Sequence, residues 1–71
     1  MKNTIKLERA RNDMTQAELA EKVKVARQTI IAIEAGRFVP STMLAFKIAK
    51  VLNCKVDEIF GLEEGDWEPT I

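Results

Sequence analysis

The sequence contains no histidine and one cysteine, Cys54, among 71 residues. Without imidazole there is no histidine base or ligand, and one thiol can form neither an internal disulfide nor a zinc site of four cysteines or paired cysteines and histidines. The carboxylates and lysines that remain form no recognisable catalytic constellation on so small a core, so neither an enzyme nor a metal or cofactor is expected. Long apolar runs are missing as well. The longest, Ile30–Ile33 and Met43–Phe46, have four residues each, against about 20 for a membrane-spanning helix. Lys2, Lys6, Glu8 and Arg9 at the N-terminus are followed by no apolar stretch or cleavage site, so no secretory signal is expected and the expected location is cytoplasmic.

What is present suits one small folded domain: 46% of the residues are apolar and 31% charged, a balance of globular rather than disordered chains. The net charge of zero hides a gradient. Residues 1–55 hold all 11 bases and only five acids, Glu8, Asp13, Glu18, Glu21 and Glu34, whereas residues 56–71 hold six acids and no base. A basic body therefore carries an acidic tail, which either is a solvated end or reaches a partner or a second subunit.

Periodicity predicts an all-α chain of five short helices, joined by connections too short to build a sheet. The first spans about Thr4–Asn12, with Ile5, Leu7, Ala10 and Met14 only loosely on one face. Thr15 opens the second, and Glu18 three residues on completes a capping box in which hydroxyl and carboxylate satisfy each other's backbone N–H groups; Leu19, Ala20 and Val23 are its apolar face. Only Lys24, Val25 and Ala26 separate it from the third, Arg27–Ala35, so the pair must turn sharply, at helix-turn-helix spacing. There Ile30 and Ile33 share the inner face, Arg27, Gln28 and Ile31 point elsewhere, and Gly36 supplies a left-handed stop. After Pro40, Ser41 caps a fourth helix, Thr42–Leu52, with Leu44, Ile48, Val51 and Leu52 as the predicted core face. Val56, Ile59 and Phe60 mark a short fifth helix. The domain is expected over residues 1–62, with an acidic tail over 63–71.

The stretch Thr15-Gln16-Ala17-Glu18-Leu19-Ala20 through Arg27-Gln28-Thr29-Ile30-Ile31-Ala32-Ile33-Glu34 to Gly36-Arg37 resembles the helix-turn-helix of Xre/Cro-like, lambda-repressor-like transcriptional regulators. The resemblance extends through Pro40-Ser41, Leu44-Ala45-Phe46-Lys47-Ile48-Ala49 and Asp57-Glu58-Ile59-Phe60, covering about residues 3–62. It implies a compact five-helix domain that binds double-stranded DNA as a homodimer on a two-fold operator. The side chains suit that role. A helix lying in the major groove presents its first turn to base edges, where Arg pairs with guanine O6 and N7 and Gln with adenine N6 and N7. Arg27 and Gln28 are therefore the leading candidates for base contact, followed by Thr29 and by Ile31 against a thymine methyl. By its place in the motif, Gln16 is a phosphate clamp aided by the helix dipole, and Lys24 and Arg37 are further backbone candidates. Outside the motif, each of these would be an ordinary surface residue.

Arg9 and Glu34 occupy positions that in the family often form an ion pair between the first and third helices; the alternative is two independent surface charges. The sequence departs from the family at two places. Lys24 stands where Gly usually supplies φ > 0, at a cost on the order of 1 kcal/mol. Ala26 stands where Ser or Thr usually caps the recognition helix, forfeiting about 1 kcal/mol.

A single recognition helix covers only a few base pairs, so specificity calls for two copies with half-sites about 34 Å apart. Ile59, Phe60 and Leu62 are the expected dimer surface, unless some of them close the monomer core. Trp67, within Glu63-Glu64-Gly65-Asp66-Trp67-Glu68, is either an anchor on the body or the other subunit, or part of a disordered tail. Cys54 is expected to be a small buried apolar residue. With no ligand-binding domain visible, the simplest regulator acts as a repressor by occupancy. A rival reading is an antitoxin-like or adaptor protein-binding module whose acidic tail masks a basic partner.

Overall fold

Each helix contributes at least one side chain to a single core. Ile5, Leu19, Val23, Ile30, Ile33, Ile48, Leu52 and Ile59 are all fully buried in the computed structural model, which describes residues 1–68. The five helices are α1 (Ile5–Arg11), α2 (Gln16–Val23), α3 (Arg27–Glu34), α4 (Thr42–Val51) and α5 (Val56–Ile59). α2 packs on both α3 and α4, and α5 closes against α4. Among the described residues no helix is long and apolar enough to cross a membrane.

Local chemistry accounts for the boundaries. At the start of α2 the Thr15 hydroxyl accepts from the Glu18 N–H at 3.0 Å while the Glu18 carboxylate accepts from the Thr15 N–H at 2.9 Å. These bonds to the ionised form, the backbone one foremost, hold the Glu18 carboxyl below the usual carboxylate range. Lys24 ends α2 in the left-handed region at φ 63° and ψ 48°, the conformation that a short turn into α3 demands and that a side chain makes costly. Ala26 precedes α3 with extended backbone and no side-chain cap. Gly36, at φ 76°, releases the chain from α3 where a Cβ would be strained. The Ser41 hydroxyl caps α4 by accepting from the Leu44 N–H at 3.1 Å.

Three features differ from the pattern expected of the sequence. Lys2–Asn3 and Phe60–Gly61 pair as a two-stranded antiparallel ribbon, β1 and β2, with Lys2 opposite Gly61 and Asn3 opposite Phe60. Strands of two residues are too short to carry an alternating signal, so no sheet was visible in the periodicity. In α4 the buried face is Ala45, Ile48, Ala49 and, just past its end, Leu52, whereas Leu44 and Val51 are half-buried. Ala45, Ile48, Ala49 and Leu52 recur at i, i+3, i+4 and i+7, so a single face of the helix carries all of them inward. In α1 only Ile5 is fully buried and Leu7 is exposed; two residues apart on a helix, they point to nearly opposite sides.

The ribbon also anchors the tail. Residues 64–67 form a single 3₁₀ turn, and the Met1 ammonium lies 3.0 Å from Glu63 Oε1 and 3.2 Å from Asp66 Oδ1. The hydrogen bonds that it donates to Glu63 and Asp66 raise the pKa of this amine. Asp66 is held below the ordinary aspartate value chiefly by the Glu63 backbone N–H.

Candidate nucleic-acid interface

The third helix exposes its first turn. Arg27 and Gln28 are exposed, Thr29 and Ile31 half-buried, and Ile30 and Ile33 turned into the core. This division follows from the 100° step of the helix: two inward isoleucines at i and i+3 leave the residues between and before them outside. With no side chain at Ala26 to cap it, the first turn of α3 has backbone N–H groups free to meet an acceptor.

The outer face of α3 is tied to the start of α2 by one polar cluster. Arg9, on α1, donates from Nε to Glu34 Oε2 at 2.6 Å and from Nη2 to Glu34 Oε1 at 3.2 Å, and its Nη1 reaches the Met14 carbonyl at 3.0 Å. Both side chains are largely buried, Arg9 14% exposed and Glu34 10%. Glu34 is the last residue of α3, where the helix dipole disfavours a carboxylate, so the forked guanidinium offsets an unfavourable placement as well as the loss of water. Gln16 joins the cluster by donating from Nε2 to Glu34 Oε1 at 3.2 Å, and its Oε1 accepts from Arg27 Nη2 at 3.4 Å. Gln16, the phosphate candidate, and Arg27, the base candidate, therefore touch across a gap of 11 residues in sequence.

Two shallow grooves flank α3. Arg9, Asp13, Thr15, Gln16 and Arg27 line one; Gln28, Thr29, Ala32, Arg37 and Phe38 line the other. The structure thus brings Gln16, Arg27, Gln28, Thr29 and Arg37 around one surface. It does not bring Lys24 there. Lys24 lines a separate groove between α2 and α4 with Lys22, Lys47 and Lys50.

Three residues at or around this surface went unremarked in the sequence. Phe38 is half-exposed beside Arg37 and Gln28; an aromatic following a base after the helix-ending glycine was the available signal. Asn3 donates to the Ile33 carbonyl at 2.8 Å, fastening the C-terminal end of α3 to β1. Asn12 donates to the Glu8 and Leu52 carbonyls, which ties α1 to the end of α4. Both asparagines act on backbone far away in sequence, and no local pattern announces that.

The expected dimer residues divide into two groups. Ile59 and Phe60 are buried in the monomer core, where their aliphatic and aromatic surface closes α5 and β2, so they are not available as an outer face. Leu62 and Trp67 are exposed, Trp67 at 75%, so the tail does not fold its indole onto its own body. Cys54 is only half-buried, and its thiol donates to Glu8 Oε1 at 3.3 Å. Burial first, and the neighbouring Glu8 second, push this thiol above its usual range, which opposes the thiolate that redox chemistry requires. Among the described residues no group of three or more ligand-type side chains converges as a metal site.

A family model described as helix-turn-helix matches residues 5–59. An uncharacterized HTH-type transcriptional regulator of Methanocaldococcus jannaschii is 52% identical over 66 residues, covering 93% of this chain and 100% of that protein. The uncharacterized HTH-type transcriptional regulator YgzD of Bacillus subtilis is 50% identical over 64 residues, covering 90% and 97%. Among solved structures, the clp gene regulator ClgR from Corynebacterium glutamicum superimposes with a TM-score of 0.72 at 28% identity over 76% of this chain, which spans 57% of that one.

Proposed function

Because the chain belongs to the helix-turn-helix family of Xre/Cro-like transcriptional regulators, a DNA-binding and non-enzymatic class, we propose that it is a homodimeric repressor of a palindromic operator, read by α3 in the major groove. The observation that carries this reading is the polar cluster on Glu34, which sets the α2 start and the α3 first turn against each other through Gln16 and Arg27. The side chains that are to meet a phosphate and a base edge at the same time therefore lie side by side. That geometry lets phosphate contacts fix the register in which base contacts discriminate.

In this reading Arg27 pairs with a guanine and Gln28 with an adenine, each worth about 1–3 kcal/mol of discrimination. Thr29 and Ile31 border them, the latter against a thymine methyl. Gln16 and Arg37 take phosphates on either side. Lys24 lies on another groove, which makes it the weakest of the phosphate candidates. A second copy places its own α3 about 34 Å away, one helical turn along the same face of the duplex. Occupancy of the operator then excludes other proteins from that DNA.

Selection of binding sites from a random duplex pool at about 0.15 M salt tests the proposal. A short palindrome should be enriched by the natural chain and lost with Arg27→Ala combined with Gln28→Ala, while melting temperature stays unchanged because both side chains are exposed. Salt-dependent binding without any enriched sequence would leave only phosphate attraction and refute specific readout by α3.

A further inference from the structure

Apart from Lys24, the weakest of the phosphate candidates, the groove between α2 and α4 takes no part in the proposed DNA contacts. It is an open groove of about 500 Å3 lined by Lys22, Lys24, Met43, Phe46, Lys47, Lys50 and Val51. Met43 is 69% and Phe46 61% exposed, a large apolar display for so small a protein. None of the four lysines enters an ion pair among the described residues. It shares no lining residue with the grooves beside α3. Its apolar lining is aromatic, thioether and aliphatic, which suits an aromatic side chain better than a phosphate, and the other residues that line it are all lysines.

The chain carries a segment of matching chemistry. Residues 63–68 read Glu-Glu-Gly-Asp-Trp-Glu, an exposed indole among four carboxylates. Glu63 and Asp66 are held by the Met1 ammonium, and Glu64 and Glu68 have no ion pair among the described residues. That hold keeps the tail beside the ribbon with Trp67 facing outward, so the chain's own tail leaves the α2–α4 groove uncovered.

We propose that the α2–α4 groove receives the acidic tail of a second copy, with Trp67 of one copy seated on Phe46 and Met43 of the other and Glu64 and Glu68 set among Lys22, Lys24, Lys47 and Lys50. Reciprocal exchange of tails makes the contact isologous, as a two-fold dimer requires. Each Trp buries about 150–250 Å2, so two such anchors supply only about 300–500 Å2, well below a standard interface of about 1,200–2,000 Å2, and with the carboxylate–lysine contacts around them they make a weak dimer that dissociates readily and responds to salt. The inference rests on the homodimer of the preceding section and names the surfaces that form it.

Trp67 is the sole tryptophan, so its emission reports the contact directly. The full-length chain is followed by tryptophan emission and sedimentation equilibrium from about 1 to 500 μM. The emission should move to shorter wavelength in step with dimer mass. Phe46→Ala, Trp67→Ala, and Lys47→Glu combined with Lys50→Glu should each raise the dimer dissociation constant at least tenfold, as loss of an interface anchor does, with melting curves of the monomers unchanged. Mixing Trp67→Ala with Phe46→Ala should restore dimers of intermediate strength, because the mixed pair keeps one intact tail on one intact groove. Dimers unaffected by these substitutions would overturn the tail-to-groove contact while leaving the homodimer standing. A natural chain that stays monomeric throughout would overturn both. An emission shift independent of concentration would place the tail on its own body, and lysine variants that weaken only DNA binding would make the groove a phosphate surface; either result refutes the proposal.

Discussion

Replacing Glu34 with alanine is expected to destabilise the domain far more than loss of an ordinary surface charge. The carboxylate accepts three hydrogen bonds, two from Arg9 and one from Gln16. Its removal leaves the Arg9 guanidinium, 14% exposed, with only the Met14 carbonyl as partner. Stranding one member of a fully buried pair costs about 3–5 kcal/mol. Residual exposure lets water reach Arg9, and relief of the carboxylate at the C-terminal end of α3 offsets part of the loss, so about 2–4 kcal/mol is the net expectation here. At about 4–8 °C per kcal/mol for a domain of this size, the melting temperature should fall by more than about 8 °C. A double-mutant cycle with Arg9→Ala separates the pair from general loss of packing: if the two act together, the double variant is little worse than either single one. Thermal denaturation by circular dichroism at low and high salt is the assay. A melting temperature unchanged by Glu34→Ala, or two strictly additive single losses, would refute the claim that this pair sets the position of α3.

Ala26 has the extended backbone of an N-cap, φ −68° and ψ 150°, without a side chain to serve as one, so Ala26→Ser should raise stability by about 1 kcal/mol, measured as an upward shift of the urea midpoint at constant slope. Glu18 is ionised more readily in the folded state than the ordinary 4.5 because of its bonds to Thr15. The unfolded chain therefore binds its proton first as pH falls, and the stability this carboxylate contributes, present above about pH 4.5, drains away as pH drops through the lowered folded value. Thr15→Ala should move the Glu18 carboxyl resonance in an NMR titration part of the way back up, since the backbone N–H bond remains.

The sequence alone determined the helices and most of their ends, because these depend on neighbours within a few residues. The Thr15–Glu18 box, the Ser41 cap, the left-handed Gly36 and the inward Ile30 and Ile33 all follow from local spacing, and the ordered segments from Thr15 to Arg37 and on to Phe60 carried the resemblance to the family. Lys24 was legible as a left-handed residue but not as a resident of another groove, since the direction of its side chain depends on how α2 meets α4. Tertiary structure decided the rest. The ribbon pairs residues about 58 positions apart, beyond any periodic signal, and Asn3 and Asn12 find carbonyls on distant elements. The buried face of α4 includes both alanines while Leu44 and Val51 are half-buried, because which face turns inward is set by where the neighbouring helices lie and not by hydrophobicity alone. Ile59 and Phe60, equally apolar to Leu62 and Trp67 by composition, went to opposite fates for a geometric reason: a domain of this size has one core, and residues beyond the last strand fall outside it. Hydrophobicity can say that a side chain prefers burial; only the folded chain says whether its own body or another copy provides the place.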